Sequence, residues 1–320
     1  MRPPDGLQQS NSARAVIYLI DASVYVFRAY YSQLPGMVDR DQRPVHAVFG
    51  FARFLGDLLE KARPAYVAVA FDQRLATSYR NGLYPPYKAN REPPPADLAA
   101  QFGYCRELCG HLGLAAFVDA RYEADDLIGT LSCIMRGQGV RSAFITRDKD
   151  LAQLVRDGDL YWDFGARGPL GYGDVLRRFG IPPERFADFL ALPGDASDNI
   201  PGVPGVGPKT AAALMRAFCS IDDLYAQLGR VSSLGLRGGR ELRQRLLEHR
   251  ETVYLAQRLT RIVCDMPLAV APEDLRPRAP DLEALGSLYD RLGFGSLLRR
   301  QGERLAARLT QASAGALILR

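Results

Sequence analysis

Ala15-Val-Ile-Tyr-Leu-Ile-Asp21 is an apolar run that stops at a carboxylate. The same event occurs in Ala65-Tyr-Val-Ala-Val-Ala-Phe-Asp72, and again where Ser142-Ala-Phe-Ile-Thr146 is followed by Asp148 and Asp150. Short runs that are apolar at nearly every position, not at alternate ones, read as strands buried on both faces. Between them, 46–62 and 97–112 space their apolar residues as amphipathic helices do. The alternation predicts an α/β fold with a mostly parallel central sheet flanked by helices. In open sheets of this kind the ligand lies beyond the carboxyl ends of the strands. The acids fall there.

Composition narrows the class. The 320 residues are 47% hydrophobic and 24% charged, enough for one large core or two ordinary ones. A disordered tail, a collagen-like fibre and a disulfide scaffold are excluded. No apolar run approaches the ~20 residues of a membrane helix, and the first one lacks the flanks of a signal peptide. We therefore expect a cytoplasmic protein with no membrane partner. Cys105, Cys109, Cys133, Cys219 and Cys264 are odd in number and lack zinc-site spacing, so they are expected as reduced thiols. His46, His111 and His249 are too scattered for a zinc site or a nucleophilic triad. The net charge of +5 permits a polyanionic partner without requiring one.

Along the chain, residues 1–14 read as a flexible polar tail and 15–181 as the α/β unit. Within it, 73–96 combines Arg80, Lys88, Arg91, tyrosines and a run of prolines. A connection that long and proline-broken reads as a functional loop or lid. From 182 to 295 helical periodicity and glycine-rich turns dominate, predicting a helical subdomain. Residues 296–320 read as a C-terminal helical tail with a frayed end.

The acids form a constellation. Asp21 and Asp72 close their strands, and Glu123-Ala-Asp125-Asp126 opens a predicted helix. Asp148-Lys-Asp150 follows the third strand, and Asp195-Ala-Ser-Asp198 precedes Asn199. Singly, each has a structural reading as a helix cap or a turn residue. Together on one sheet edge they cannot all ionise without counter-charge. Either several stay protonated or divalent cations lie among them, and an all-oxygen donor set selects Mg²⁺ or Mn²⁺ over zinc. Two such ions about 4 Å apart are a known arrangement for phosphodiester cleavage. The expectation is a metal-dependent phosphoryl hydrolase.

Ile200-Pro-Gly202-Val-Pro-Gly205-Val-Gly207-Pro-Lys209-Thr210 is a glycine-rich turn running into a helix. It is not a Walker loop, because Pro208 separates Gly207 from Lys209 and no strand precedes it. A helical hairpin whose free N–H groups grip a DNA phosphate fits better.

With these motifs quoted, the chain resembles the 5′→3′ exonuclease and flap-endonuclease family, most closely the bacterial nuclease domain found fused to DNA polymerase I. The matching stretches are Leu19–Ser23, Ala70–Asp72, Tyr87-Lys-Ala-Asn-Arg91, Tyr122–Asp126, Thr146–Asp150 and Gly194–Gly207, in order across roughly 15–295. No polymerase portion follows, so the likeness is to a stand-alone nuclease. The resemblance implies a PIN/resolvase-like sheet domain, a helical arch at 73–96 and a helix–three-turn–helix within 182–295. It implies that Asp21, Asp72, Glu123 and Asp125 hold one ion with Asp126 beside it, and that Asp148, Asp150, Asp195 and Asp198 line the second.

The likeness further implies catalytic roles for Lys88 and Arg91 at the scissile phosphate, with Asp125 and Asp148. DNA contacts are implied for Phe27, Arg28, Arg80, Tyr87, Gly202, Gly205, Gly207, Lys209 and Thr210. K⁺ at the helix–three-turn–helix is implied in the same way. Pro208 stands where relatives often carry glutamate, and it suits a helix start. The activity implied is 5′→3′ exonuclease and 5′-flap endonuclease cleavage near single-strand/duplex junctions, by a two-metal-ion mechanism. The partner would be DNA with a 5′ flap, nick or 5′ end, and the protein a monomer. Two rivals stand beside this: a catalytically weak junction-binding protein, and a ribonuclease of PIN-like architecture.

Overall fold

The computed structural model describes residues 15–32, 36–73 and 78–318, with the backbone alone described from 311. The tail predicted at 1–14 lies outside the described residues. In chain order the elements begin with β1 (Val16–Asp21), α1 (Ala22–Ser32), α2 (His46–Ala62), β2 (Tyr66–Phe71), α3 (Tyr79–Leu83) and α4 (Ala96–His111). Then come β3 (Ala115–Val118), α5 (Ala124–Gly137), β4 (Arg141–Ile145), β5 (Leu160–Trp162), α6 (Tyr172–Phe179) and α7 (Phe186–Ala191). The remainder is helical: α8 (Pro208–Ala217), α9 (Ile221–Ala226), α10 (Gly239–Glu248), α11 (Arg250–Thr260), α12 (Leu282–Arg291) and α13 (Ser296–Ile318).

The five strands form one sheet in the order β3-β2-β1-β4-β5, every pair parallel. Each central strand is buried on both faces, as its continuous apolar run requires. In β2, Tyr66, Ala68 and Ala70 face one core, while Val67, Val69 and Phe71 face the other. In β1, Ile17 and Leu19 divide from Ile20 in the same way. The small Ala68 and Ala70 lie under α5, whose Leu127, Ile128, Leu131 and Met135 fill that core together with the helices after β5. On the opposite face, α1, α2 and α4 make the second core.

The order places the switch point between β1 and β4, where chain connections leave in opposite directions and a crevice opens beyond the strand ends. Asp21 is the last residue of β1, and its backbone pairs with Ala70. The described part of the predicted C-terminal tail, α13, packs onto the body. Leu298 and Leu305 of α13 are buried in the second core. The Arg308 guanidinium donates to the carbonyls of Leu59 and Glu60, and Arg304 Nε lies 2.7 Å from Glu60 Oε1. These contacts place positive charge at the C-terminal end of α2, where the helix dipole favours it.

Among the described residues of 73–95, helix is confined to α3, followed by turns and prolines up to α4. The glycine-rich turn is fixed by close backbone approach. A Cβ on Gly202 would stand 2.1 Å from the Pro193 carbonyl, so that position tolerates no side chain. Pro208 is the first residue of α8, as its preset φ favours.

Candidate active site

Beyond the carboxyl ends of β1, β2 and β4 lies a cleft of about 670 Å³. Seven of the nine sequence-predicted acids line it: Asp21, Asp72, Glu123 and Asp125, with Asp148, Asp150 and Asp198. Local chain chemistry sets each one. Asp21 Oδ2 accepts from Thr146 Oγ1 at 2.9 Å, and Thr146 Oγ1 in turn accepts from the Asp148 N–H at 2.9 Å. This relay ties the end of β1 to the turn after β4. Asp148 Oδ1 accepts from the Asp150 N–H at 2.9 Å. Asp72 Oδ1 accepts from the Ala124 N–H at 2.9 Å, so the β2 acid caps α5 and meets the positive end of its dipole.

The acids divide into two electrostatic groups. Glu123 and Asp198 are compensated. Lys88 Nζ lies 2.6 Å from Glu123 Oε2 and 3.7 Å from Asp198 Oδ2, and the Arg91 guanidinium pairs with Asp198. Burial would raise the Glu123 pKa, yet Lys88 and Arg80 pull it down to about 2. The Tyr87 hydroxyl, itself buried, donates to Glu123 Oε2 at 3.2 Å.

Asp21, Asp72, Asp125 and Asp148 are not compensated: among the described residues none has a basic nitrogen within 4.0 Å. Burial, then Asp72 and Asp148, push Asp21 up to about 8. Burial and the charges of Asp148, Asp21 and Asp72 raise Asp125 well above the carboxylate range. Burial and Asp148 push Asp150 up to about 7 despite the opposing Lys149.

Lys88 is locked from every side. Its φ of +54° is left-handed, a costly conformation for a residue with a Cβ. Its N–H donates to the Asp198 carbonyl at 2.9 Å, and the Tyr87 ring centroid lies 5.0 Å from Nζ. Across from it Asn199, at φ +56°, donates from Nδ2 to the Pro86 carbonyl at 2.7 Å. Asn90 Nδ2 donates to the Ala196 carbonyl at 2.9 Å. Residues 86–91 are thus zipped to 196–199, the segment that leads into the glycine-rich turn.

Three predicted residues sit elsewhere. Asp126, placed above beside the first ion, is fully buried, and both oxygens are occupied. They accept from Arg80 Nη1 and Nη2 at 2.7 and 2.8 Å, from the Glu123 N–H at 3.1 Å and from the Val263 N–H at 2.9 Å. One residue along a helix turns a side chain by roughly 100°, which sends Asp125 to the cleft and Asp126 into the interior. Arg80, expected as a DNA contact, is 3% exposed and spends its remaining donors on the Leu259 and Arg261 carbonyls. Only its edge reaches the cleft wall. Asp195 turns back on its own loop, accepting from the Ser197 N–H at 2.8 Å and from Lys149 Nζ at 2.7 Å.

Of the other expected contacts, Phe27 and Arg28 line the cleft. Arg28 is held over the Tyr25 ring, 4.4 Å from its centroid, and donates to Asp163 at 3.1 Å. Gly205, Gly207 and Lys209 are exposed at the start of α8, away from the cleft lining, with Gly202 and Thr210 half-buried beside them. Among the cleft residues that the sequence reading did not single out are Tyr31, 72% exposed, and the basic Arg147 and Lys149. Tyr31 could have been found, since it stands one helical turn from Phe27 on the same face.

Among the described residues no three Asp, Glu, His or Cys side chains stand as a ready-made cage for an ion. The donor chemistry nevertheless fits hard divalent cations. The uncompensated side chains are all carboxylates, and their mutual repulsion calls for positive charge.

Residues 16–172 match the 5′-3′ exonuclease N-terminal resolvase-like domain, and residues 181–283 match the 5′-3′ exonuclease C-terminal SAM fold. The chain belongs to the 5′-3′ exonuclease family. The thermostable DNA polymerase I of Thermus filiformis is 38% identical over 288 residues, 89% of this chain and 33% of that one. The DNA polymerase I of Mycobacterium bovis is 36% identical over 301 residues, 92% of this chain and 32% of that one. The chain spans about a third of the length of these curated relatives. The flap endonuclease of bacteriophage T5, solved as a pseudo-enzyme-product complex with DNA and metal ions, has a TM-score of 0.62 at 20% identity. It covers 91% of this chain and 99% of that one. The family resemblance and the α/β sheet with a helical C-terminal part therefore hold. Among the described residues no helix is long and apolar enough to cross a membrane.

Proposed function

We propose that this member of the 5′-3′ exonuclease family is a structure-selective DNA nuclease. It would hydrolyse phosphodiesters close to the junction of a 5′ flap, nick or 5′ end with duplex, acting as a monomer in the cytoplasm. The observation that carries the reading is the charge division of the cleft. Four carboxylates without a cationic partner share the cleft with Lys88 and Arg91, which are held in place on the other acids.

When bound, two divalent ions, Mg²⁺ or Mn²⁺, supply activation of water and stabilisation of the leaving oxygen. Asp21, Asp72 and Asp125 would hold one and Asp148 and Asp150 the other, with Glu123 and Asp198 between them and the two basic side chains. Lys88 and Arg91 are positioned to meet a phosphate and offset the charge that grows on it. Phe27 and Tyr31 offer ring faces at the lip for an unpaired base. The exposed start of α8, with Lys209, offers N–H groups and a charge to a duplex phosphate. The family likeness adds K⁺ at the Gly194–Gly207 turn. Such contacts read backbone and shape, not base sequence, and binding should weaken steeply with salt.

The test is an end-labelled 5′-flap duplex incubated with Mg²⁺ or with EDTA. Metal-dependent products clustered at the junction are expected. Tight binding without cleavage in Mg²⁺ or Mn²⁺ would place the protein among junction binders, and preference for a matched RNA flap would make it a ribonuclease. Lys88→Ala should cut the single-turnover rate about 100- to 1,000-fold while changing flap affinity only a few-fold. Equal losses in both would reduce Lys88 to a binding residue.

A further inference from the structure

Cys133 lies exposed on α5, and Cys264 lies half-buried on the segment after α11. Gly129 brings them together. A Cβ there would fall 2.7 Å from Ile262 Cγ2, 2.8 Å from the Val263 carbonyl oxygen and 3.2 Å from Cys264 Sγ. Only glycine lets the 262–264 segment lie directly on the helix. Cys133 stands one helical turn beyond Gly129 on the same face, which makes it the neighbouring thiol of Cys264. Two further bonds pin the segment on either side of Cys264. The Val263 N–H donates to Asp126 Oδ1 at 2.9 Å, and the Met266 N–H donates to Thr130 Oγ1 at 3.4 Å.

The surroundings favour reaction at Cys133. Arg136 Nη1 is 3.9 Å from its sulfur, and Arg156 adds positive charge. The neighbouring Cys264 thiol, followed by these two guanidinium groups, pulls the Cys133 thiol down to about 6 against the effect of partial burial. An accessible thiolate in an electropositive setting with a second thiol beside it is the arrangement of a reactive, resolvable cysteine. Cys105 and Cys109 differ: both are fully buried, and burial drives their thiols upward.

We propose that Cys133 and Cys264 form an oxidisable pair that closes to an intramolecular disulfide with a hydroperoxide as oxidant. The Cys133 thiolate attacks the peroxide oxygen, and the O–O bond breaks. The leaving hydroxide takes a proton to become water, and Cys133 is left as a sulfenic acid. Cys264 sulfur then attacks Cys133 sulfur, the S–O bond breaks, and the departing hydroxyl leaves with the Cys264 proton as a second water. Two thiols are oxidised by two electrons, and one peroxide is reduced. The bond would staple α5, which carries Asp125 near its start, to the segment that directly follows the Leu259 and Arg261 carbonyls holding Arg80.

The test treats the reduced 320-residue chain with hydrogen peroxide, then counts free thiols under denaturing conditions and maps linked peptides by mass spectrometry. We expect the five thiols to fall by two, with a peptide pair joined through Cys133 and Cys264 in a monomer, reversed by dithiothreitol. Cys219→Ser should leave this reaction intact. Cys264→Ser should leave Cys133 as a sulfenic acid that dimedone traps. Over-oxidation of Cys133 in the wild-type protein with no linked peptide would overturn the proposal. So would thiol loss confined to disulfide-linked dimers on non-reducing gels.

Discussion

Asp125→Asn should lower the cleavage rate by about 1,000-fold and, in EDTA at pH 8, raise the melting temperature by a few degrees. The first effect follows from the several kcal/mol of charge stabilisation a bound metal supplies, each 1.36 kcal/mol being a factor of ten. The second follows from the uncompensated carboxylates. Asp125 is raised well above the carboxylate range by burial and then by Asp148, Asp21 and Asp72, with only a distant pull from Lys88.

The sign is that of a raised folded-state pKa. The folded protein binds these protons more tightly than the unfolded chain, whose carboxyls titrate near 3.9. The resulting stability is fully present below about pH 4 and drains away as pH rises through the folded values, about 8 for Asp21 and about 7 for Asp150. At pH 8 without metal these buried carboxyls must either keep protons that the unfolded chain has lost or ionise beside one another; both cost stability, and an amide at 125 removes one of them. Melting curves from pH 5 to 9 in EDTA check this. The wild-type and Asp125→Asn temperatures should converge at the acid end and separate toward pH 9, and Mg²⁺ should raise the wild type more than the variant. A variant that melts lower at pH 8 would mean that Asp125 is held by interactions its amide cannot replace.

The central sheet was legible because double-sided burial writes itself as uninterrupted apolar runs. β1, β2 and β4 coincide with the three runs that end in acids. β3 and β5 did not show. β3 is four residues whose faces alternate between half-buried and exposed, and β5 is three residues. Runs of three or four residues are too short to be told apart as apolar strands in the sequence. The acids at strand ends were legible for the same reason, since parallel topology alone puts them on one edge.

What the sequence could not convey is which acid finds which cation. Asp125 and Asp126 are adjacent and chemically identical, and only the helix phase separates them. Arg80 becomes a structural residue because α3 drops it onto Asp126, a contact forty-six positions away. Asp195 reads like Asp198 until its loop closes on Ser197. Lys149 passed unremarked inside Asp148-Lys-Asp150, yet it bridges the Asp150 and Asp195 carboxylates at 3.1 and 2.7 Å.

Arg80→Ala should destabilise the protein by about 3–5 kcal/mol, the range for removing one partner of a buried ion pair, and lower its melting temperature by on the order of 10 °C. Arg80 is 3% exposed and Asp126 fully buried, so neither the pair nor its hydrogen bonds are screened by water. Removing the guanidinium leaves the Asp126 charge with only the Glu123 and Val263 N–H groups. It also strands the carbonyls of Leu259 and Arg261. Arg80→Lys should recover little, because an ammonium cannot make the paired contacts of a planar fork.

The double variant Arg80→Ala, Asp126→Ala separates the two causes. If an orphaned charge is the main cost, the double variant should be more stable than Arg80→Ala alone, despite having lost more native contacts. The competing role is a phosphate contact at the cleft edge. It requires the opposite pattern: a melting temperature near wild type, flap binding weakened across sequences, and a salt dependence of binding flattened by about one unit of slope. The two patterns share no outcome, so one melting curve and one salt titration of Arg80→Ala decide whether this arginine holds the protein or the nucleic acid.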